Sequence, residues 1–219
     1  MDAAESPFTA EHFQRIDESA DEAFYDVPRL VTHIDDTAIA AAGRLYAEQL
    51  PPEDDILDLM SSWVSHLPEQ FPVRRLVGLG MNAEELAANP RLDGYVVHNL
   101  NREPTLPFAD EEFGGCIVTV SVQYLTRPIE VFREVSRVLR PGAPFIVTFS
   151  NRCFPTKAVA IWRALSDRDH IKLVGAYFEL SGGWTDLQAV NCSPPGNGYS
   201  DPLYAVLARK AGPTTSELP

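Results

Sequence analysis

The stretch Glu134–Ser150, EVSRVLRPGAPFIVTFS, holds the two periodicities that decide the fold. Its first part continues a helix that the spacing predicts over Ile129–Leu139, with Ile129, Phe132, Val135 and Leu139 on one face. Arg140-Pro141-Gly142 then stops the helix, because proline cannot continue it and glycine turns the chain cheaply. Phe145–Phe149 follows as a short apolar run of the kind buried within a sheet. Helix, tight turn and buried strand form one leg of an α/β unit.

The same alternation extends in both directions. Upstream, strands are predicted at Asp55–Met60, Arg74–Leu79, Gly94–His98 and Gly115–Ser121, with short helices at Ser61–Gln70 and Asn82–Ala88. Downstream, helices are predicted at Pro155–Ser166 and Asp167–Leu180, the second stopped by Gly182-Gly183. Two last strands, Trp184–Val190 and Leu203–Arg209, have only the Pro- and Gly-rich loop Ser193–Pro202 between them, so they are expected to pair antiparallel at or near a sheet edge. Strands alternating with helices call for a parallel sheet covered on both faces by right-handed crossovers.

Before Pro51-Pro52 the pattern is different. Helices are predicted at Thr9–Phe24 and Asp35–Leu50, with an irregular stretch containing Pro28 between them. The chain of 219 residues has a formal charge of −13, and residues 1–55 hold 14 acids against 3 bases, whereas residues 56–219 hold 17 against 15. The reading is therefore an acidic N-terminal helical lid over residues 1–52, a nearly neutral α/β domain over 53–210 and a flexible tail over 211–219. Such a field excludes an extended polyanion such as nucleic acid, while leaving an anionic small molecule open for the domain. No apolar run approaches the roughly 20 residues of a membrane span. The start lacks the basic and apolar parts of a secretory signal, and Cys116, Cys153 and Cys192 form no CxxC pair. A cytoplasmic protein without disulfides or a metal site is expected; Cys116 reads as core and Cys153 as a loop thiol.

Three passages resemble the class I S-adenosylmethionine-dependent methyltransferases, and within them the small-molecule group labelled type 11. They are Ile56-Leu57-Asp58-Leu59, Leu106-Pro107-Phe108-Ala109-Asp110-Glu111-Glu112-Phe113, and Glu134–Gly142 with its L-R-P-G turn. The resemblance implies a three-layer Rossmann-like α/β sandwich whose seven-stranded, mostly parallel sheet carries an antiparallel strand near its end, with helices added at the N-terminus. It also implies S-adenosylmethionine as cofactor and a small-molecule methyl acceptor. Nucleic acid and membrane are not expected as partners, and self-association into a homodimer is left open.

By the same resemblance, the cofactor-binding residues are Asp58, Met60, Ser61 and Ser62 after the first strand, Asn82 after the second, Asn99 and Leu100 after the third, and Ser121 after the fourth. Tyr25 and Arg29 would reach it from the lid. His33 and Tyr124 are the candidate catalytic groups, and Gln123, Asn151 and Arg152 are expected beside the substrate. The pattern departs from the family where glycines are expected: Met60, Ser62 and Val64 stand there, and Gly80 stands where an acid would meet the ribose. Ser61-Ser62-Trp63 opening a helix, with Asn82 nearby, could replace those contacts. The competing reading is a cofactor-free relative that serves as a binding or interaction module.

Overall fold

A computed structural model of the protein describes residues 7–193 and 200–212. Seven strands form one sheet: β1 Asp55–Leu59, β2 Arg75–Gly80, β3 Gly94–Val97, β4 Gly115–Thr119, β5 Pro144–Phe149, β6 Trp184–Asn191 and β7 Tyr204–Lys210. Their spatial order is β3-β2-β1-β4-β5-β7-β6. The first five run parallel, and β7 lies antiparallel between β5 and β6, so the expected terminal hairpin is present. The expected strand boundaries hold to within a residue or two. Residues 194–199 of the Ser193–Pro202 loop, and 213–219 of the expected tail, lie outside the described residues.

Burial explains why the central strands read as continuous apolar runs: every residue of β1 and of β5 is buried, because helices cover both faces. On one face lie α4 Pro128–Val138 and α6 Asp167–Ser181, with α5 Ala160–Ala164 beside them. Phe132 of α4 meets Phe145 of β5 at 4.9 Å and Phe178 of α6 at 4.8 Å between ring centres. Pro128 starts α4, where its missing N–H costs nothing. Gly142 closes the following turn at φ +80, a conformation that a side chain would oppose. On the other face lies α2 Asp36–Gln49, capped by the Asp35 carboxylate, which accepts from Ala38 N. Tyr46 of this helix is fully buried, and its hydroxyl bridges Thr119 of β4 at 2.7 Å and Thr148 of β5 at 2.8 Å. Thus α2 is a layer of the sandwich; of the described residues before it, Phe8 and Phe13 pack against the core beside Tyr177, and the stretch from Asp21 to His33 runs along the ends of the strands.

Three expected helices are changed. Over Thr9–Phe24 the chain forms only a 3-10 turn at Ala10–Phe13 and the short α1 Asp21–Tyr25. Between them Asp17 accepts from Ser19 N and Glu18 accepts from Arg15 N, local bonds that compete with the helical ladder. Residues Ser61–Gln70 are irregular. There Ser61 N donates to Leu79 O at 2.8 Å and Asn89 donates to Ser62 O at 2.9 Å, so the segment is tied to its neighbours and not to itself. Of Pro155–Ser166 only α5 is helical, because Val159 N and Ala160 N serve the carbonyls of Gln123 and Gln14. The helix α3 Ala83–Ala88 forms as expected, capped by Asn82, which accepts from Glu85 N at 2.9 Å.

Candidate active site

Strand order reverses between β1 and β4, and the loops leaving their carboxyl ends part there to form a crevice. It encloses about 1150 Å³ including its mouth, between the ends of β1, β2 and β4 and the segment Asp21–His33. Both strands at the reversal end in strained backbone: Met60 follows β1 at φ +59 and Val120 follows β4 at φ +44. Left-handed backbone is unfavourable for methionine and worse for a β-branched residue, costing on the order of 1–3 kcal/mol each, and such strain collects at functional sites. The positive φ expected of a glycine after β1 is therefore present, on a methionine.

Asp58, the penultimate residue of β1, is buried on the α2 side of the sheet. It accepts from Ser61 Oγ at 2.7 Å and from Ser65 Oγ. Burial pushes its pKa up to about 6, against the pull of those two hydroxyls. The expected helix opening at Ser61-Ser62-Trp63 is replaced by this hydroxyl cluster. At Gly80 the structure accounts for the missing acid: a Cβ there would lie 2.2 Å from the carbonyl oxygen of Ser61, so no side chain fits. The carboxylate nearest in sequence on the crevice wall is that of Glu85 in the first turn of α3, which accepts from Ser62 Oγ at 2.6 Å and from Arg29 N at 2.7 Å.

The other expected positions line the crevice with altered partners. Asn82 donates to the carbonyls of Tyr25 at 2.8 Å and Asp26 at 3.1 Å. Asn99 donates to Glu22 at 3.0 Å, while its carbonyl accepts from Asn101 N within its own turn. Leu100 is buried beneath them. Ser121 Oγ is buried with no partner among the described residues, as is Nδ1 of His66, another residue of the crevice wall. The segment before α2 crosses the opening: Trp63 Nε1 donates to Val31 O at 3.0 Å and Asn101 to Asp21 at 2.9 Å. Fully buried Lys157 anchors it by donating to Ser19 O at 2.8 Å and pairing with Asp17 at 3.2 Å.

Tyr25 faces the crevice, and burial raises its pKa above the ordinary tyrosine value. The guanidinium of Arg29 sits 4.4 Å from the Phe24 ring centre and 5.5 Å from that of Phe154. His33 packs edge-on against the same Phe154 ring at 5.2 Å, and burial lowers its pKa below the usual histidine value. Tyr124 stacks on Phe154 at 6.0 Å between ring centres, and its hydroxyl accepts from Phe154 N at 2.8 Å. Burial pushes that phenol up to about 12, so it remains protonated at neutral pH.

A second cavity, of about 880 Å³ likewise including its mouth, adjoins the first and shares His33, Tyr124 and Phe154 with it. Arg152 lies on its wall, paired with Asp201 at 2.7 Å. Two expectations for the substrate side are changed: Asn151 is exposed on neither cavity wall, and Gln123 is fully buried, donating to Val120 O at 2.8 Å under the crevice floor. Cys153 lies on the second cavity, where burial raises its thiol pKa and so disfavours the nucleophilic thiolate. Sequence reasoning missed Glu85, His66 and Asn101. Only Glu85 had a local signal, the spacing Asn82-x-x-Glu85 of a helix start.

Among the described residues no helix is long and apolar enough to cross a membrane, and no group of three or more His, Cys, Asp or Glu is placed to hold a metal. Residues 61–147 match the family model described as "Methyltransferase domain". Over 67 residues the chain is 33% identical to the biotin biosynthesis bifunctional protein BioHC of Teredinibacter turnerae, a match that covers 31% of this chain and 12% of that protein. Among solved structures, phosphoethanolamine N-methyltransferase 2 of Haemonchus contortus, in complex with S-adenosyl-L-methionine, superposes with a TM-score of 0.57 at 12% identity, covering 80% of this chain and 52% of the other. Geranyl diphosphate C-methyltransferase of Streptomyces coelicolor, with S-adenosyl-L-homocysteine bound, gives 0.52 at 14% identity, covering 80% and 76%. The [4+2]-cyclase SpnF gives 0.56 at 14% identity, covering 87% and 91%, so the shared fold is not confined to proteins named for methyl transfer. Residues 61–147, less than half of the chain, are thus similar to the methyltransferase-domain family, and the seven-stranded sheet shares its fold with solved structures that include methyltransferases.

Proposed function

We propose that the protein is an S-adenosylmethionine-dependent methyltransferase acting on a small molecule in the cytoplasm. The observation that carries this reading is the crevice at the strand reversal, bounded by two strained turns and walled by buried polar atoms, Ser121 Oγ and His66 Nδ1, that have no hydrogen-bond partner among the described residues. An orphaned buried donor or acceptor costs about 1–3 kcal/mol, which a ligand hydrogen bond recovers. These residues fit a nucleoside-sized, polar ligand. Asp58, Met60, Ser61 and Ser62 would hold it from β1, Asn82 and Glu85 from α3, Asn99, Leu100 and Ser121 from the loops after β3 and β4, and Tyr25 and Arg29 from the segment across the mouth.

S-adenosylmethionine, when bound, supplies an electrophilic methyl group on a sulfonium. The chain's part is then to position the acceptor and exclude water, which is where most of the acceleration of such a displacement arises. The adjoining cavity gives the acceptor its place, with Arg152 on its wall. His33, on both cavities and with its pKa lowered by burial, is the group able to take a proton from the acceptor, and the protonated Tyr124, which lines the same two cavities, donates and orients. Calorimetric titration with S-adenosylhomocysteine tests the reading. Saturable heat with a dissociation constant below millimolar is expected; neither heat nor thermal shift at millimolar ligand would overturn it.

A second reading has its own observation. Asn82, Asn99 and Asn101 all spend amide protons on the N-terminal segment, and Gly80 leaves no room for an acid. A crevice closed by its own chain suits a cofactor-free binding module, and the same titration separates the two.

A further inference from the structure

Side chains of β4 alternate between the two faces of the sheet, as strand geometry requires. Cys116 and Val118 belong to the core on the α4 side, whereas Ile117 belongs to the core on the α2 side and Thr119 meets Tyr46 of α2. Regular continuation would return Val120 to the α4 side. It belongs instead to the α2-side core that includes Ile34 and Ile117, because its backbone is left-handed at φ +44. The turn is pinned on both sides of that residue. Val120 N donates to Thr148 O at 2.9 Å, and Val120 O accepts from the amide nitrogen of fully buried Gln123 at 2.8 Å. The same nitrogen donates to Arg152 O at 3.4 Å, so carbonyls past the ends of β4 and β5 together fix its orientation.

A glycine would adopt this backbone without strain, and valine is among the residues least suited to it. What the strained turn achieves is placement. Val120 is 8% exposed and lines both cavities, as only Thr32, His33, Tyr124 and Phe154 also do among the described residues. Met60, left-handed after β1, lines the first cavity alone. We propose that Val120 determines specificity at the opening between the two cavities, where its isopropyl group limits a passing substituent to the size of a methyl, and that Gln123 positions it. The proposal rests on the methyltransferase reading: with the cofactor in the first cavity and the acceptor in the second, whatever passes between them crosses this wall. The obstacle is stiff, because a β-branched side chain beside packed rings has few rotamers with which to make room.

The test is calorimetric titration of the full chain with S-adenosylhomocysteine, S-adenosylmethionine and the analogue whose sulfonium carries propyl in place of methyl. The readout is the ratio of dissociation constants, propyl over methyl, in which a general loss of affinity cancels. The parent protein should give a ratio of about ten or more, and Val120→Ala and Val120→Gly should bring it below about three. Gln123→Met removes the donor to Val120 O and nearly keeps the volume. It should lower the ratio in the parent and change nothing further in Val120→Gly, where the side chain it positions is gone. Thermal unfolding reads the turn separately: Val120→Gly should melt above Val120→Ala, the reverse of their order in ordinary strand backbone. A parent ratio near one, a ratio that survives in both Val120 variants, or Ala melting above Gly overturns the selection by a strained valine. A ratio unmoved by Gln123→Met overturns its positioning role. Absence of heat with all three ligands overturns the methyltransferase reading, and the selection falls with it.

Discussion

The carbonyl oxygen of Ser61 stands where a side chain of Gly80 would begin, 2.2 Å from the position of its Cβ. The loop after β1 thus occupies the space from which an acid at the end of β2 would project, and the crevice wall carries Glu85 from α3. Restoring an acid at position 80 should damage the fold and not repair the site. Gly80→Asp is expected to lose about 3 kcal/mol or more, because backbone and not a flexible side chain must move. Urea denaturation checks this; a stable Gly80→Asp protein with tighter S-adenosylhomocysteine binding would contradict it.

Asp58 makes stability depend on pH with an unusual sign. Its folded pKa, about 6, lies above the ordinary 3.8, so the neutral form is favoured by folding. The contribution is present below pH 4 and is lost as pH rises through 6, on the order of 2–3 kcal/mol in all. Carboxylates held low, such as Asp35 and Asp55, act in the opposite direction, so the difference between variants is the readout. Unfolding free energies of Asp58→Asn, measured beside the parent protein at pH 5 and 7.5, should show the variant gaining relative stability at the higher pH.

Lys157 holds the N-terminal segment to the domain from a fully buried position, facing Asp17 at 3.2 Å and Asp21 at 3.5 Å. Replacing one partner of a buried pair strands the other. Lys157→Met is therefore expected to cost about 3–5 kcal/mol, more than an exposed pair such as Lys172 and Asp169 would. Chemical denaturation of Lys157→Met and Lys172→Met side by side tests the ranking.

Trp63 ties the segment across the mouth by one bond, from Nε1 to Val31 O. Trp63→Phe removes the donor and keeps a ring. Hydrogen exchange should speed up about fivefold over residues 27–33, equivalent to about 1 kcal/mol of local opening, while α4 and β5 keep their protection. Equal acceleration everywhere would mean that the bond supports the whole fold.

The architecture was legible because its signals are local. Ile129, Phe132 and Val135 share a helix face by spacing alone, and the buried runs of β1, β4 and β5 have no polar alternation to obscure them. Ser61–Gln70 was not legible. Its hydroxyls suggested a helix start, yet Ser61 and Ser65 turn inward to Asp58, a bond that exists only after β1 is buried. Thr9–Phe24 failed likewise, because Lys157, distant in sequence, organises its carbonyls and carboxylates.

Sequence alone determined the order of the seven strands, the sheet class and the family likeness, since each follows from periodicities and short motifs within a few turns of chain. Which polar groups meet in the crevice was decided by tertiary structure. Glu85 reaches Ser62 and the Arg29 backbone, Asn101 reaches Asp21, and His66 Nδ1 is left with no hydrogen-bond partner among the described residues, through contacts between segments far apart in the chain. The physical reason is that hydrogen-bond partners of buried groups are assigned by packing, and no local pattern encodes a partner tens of residues away.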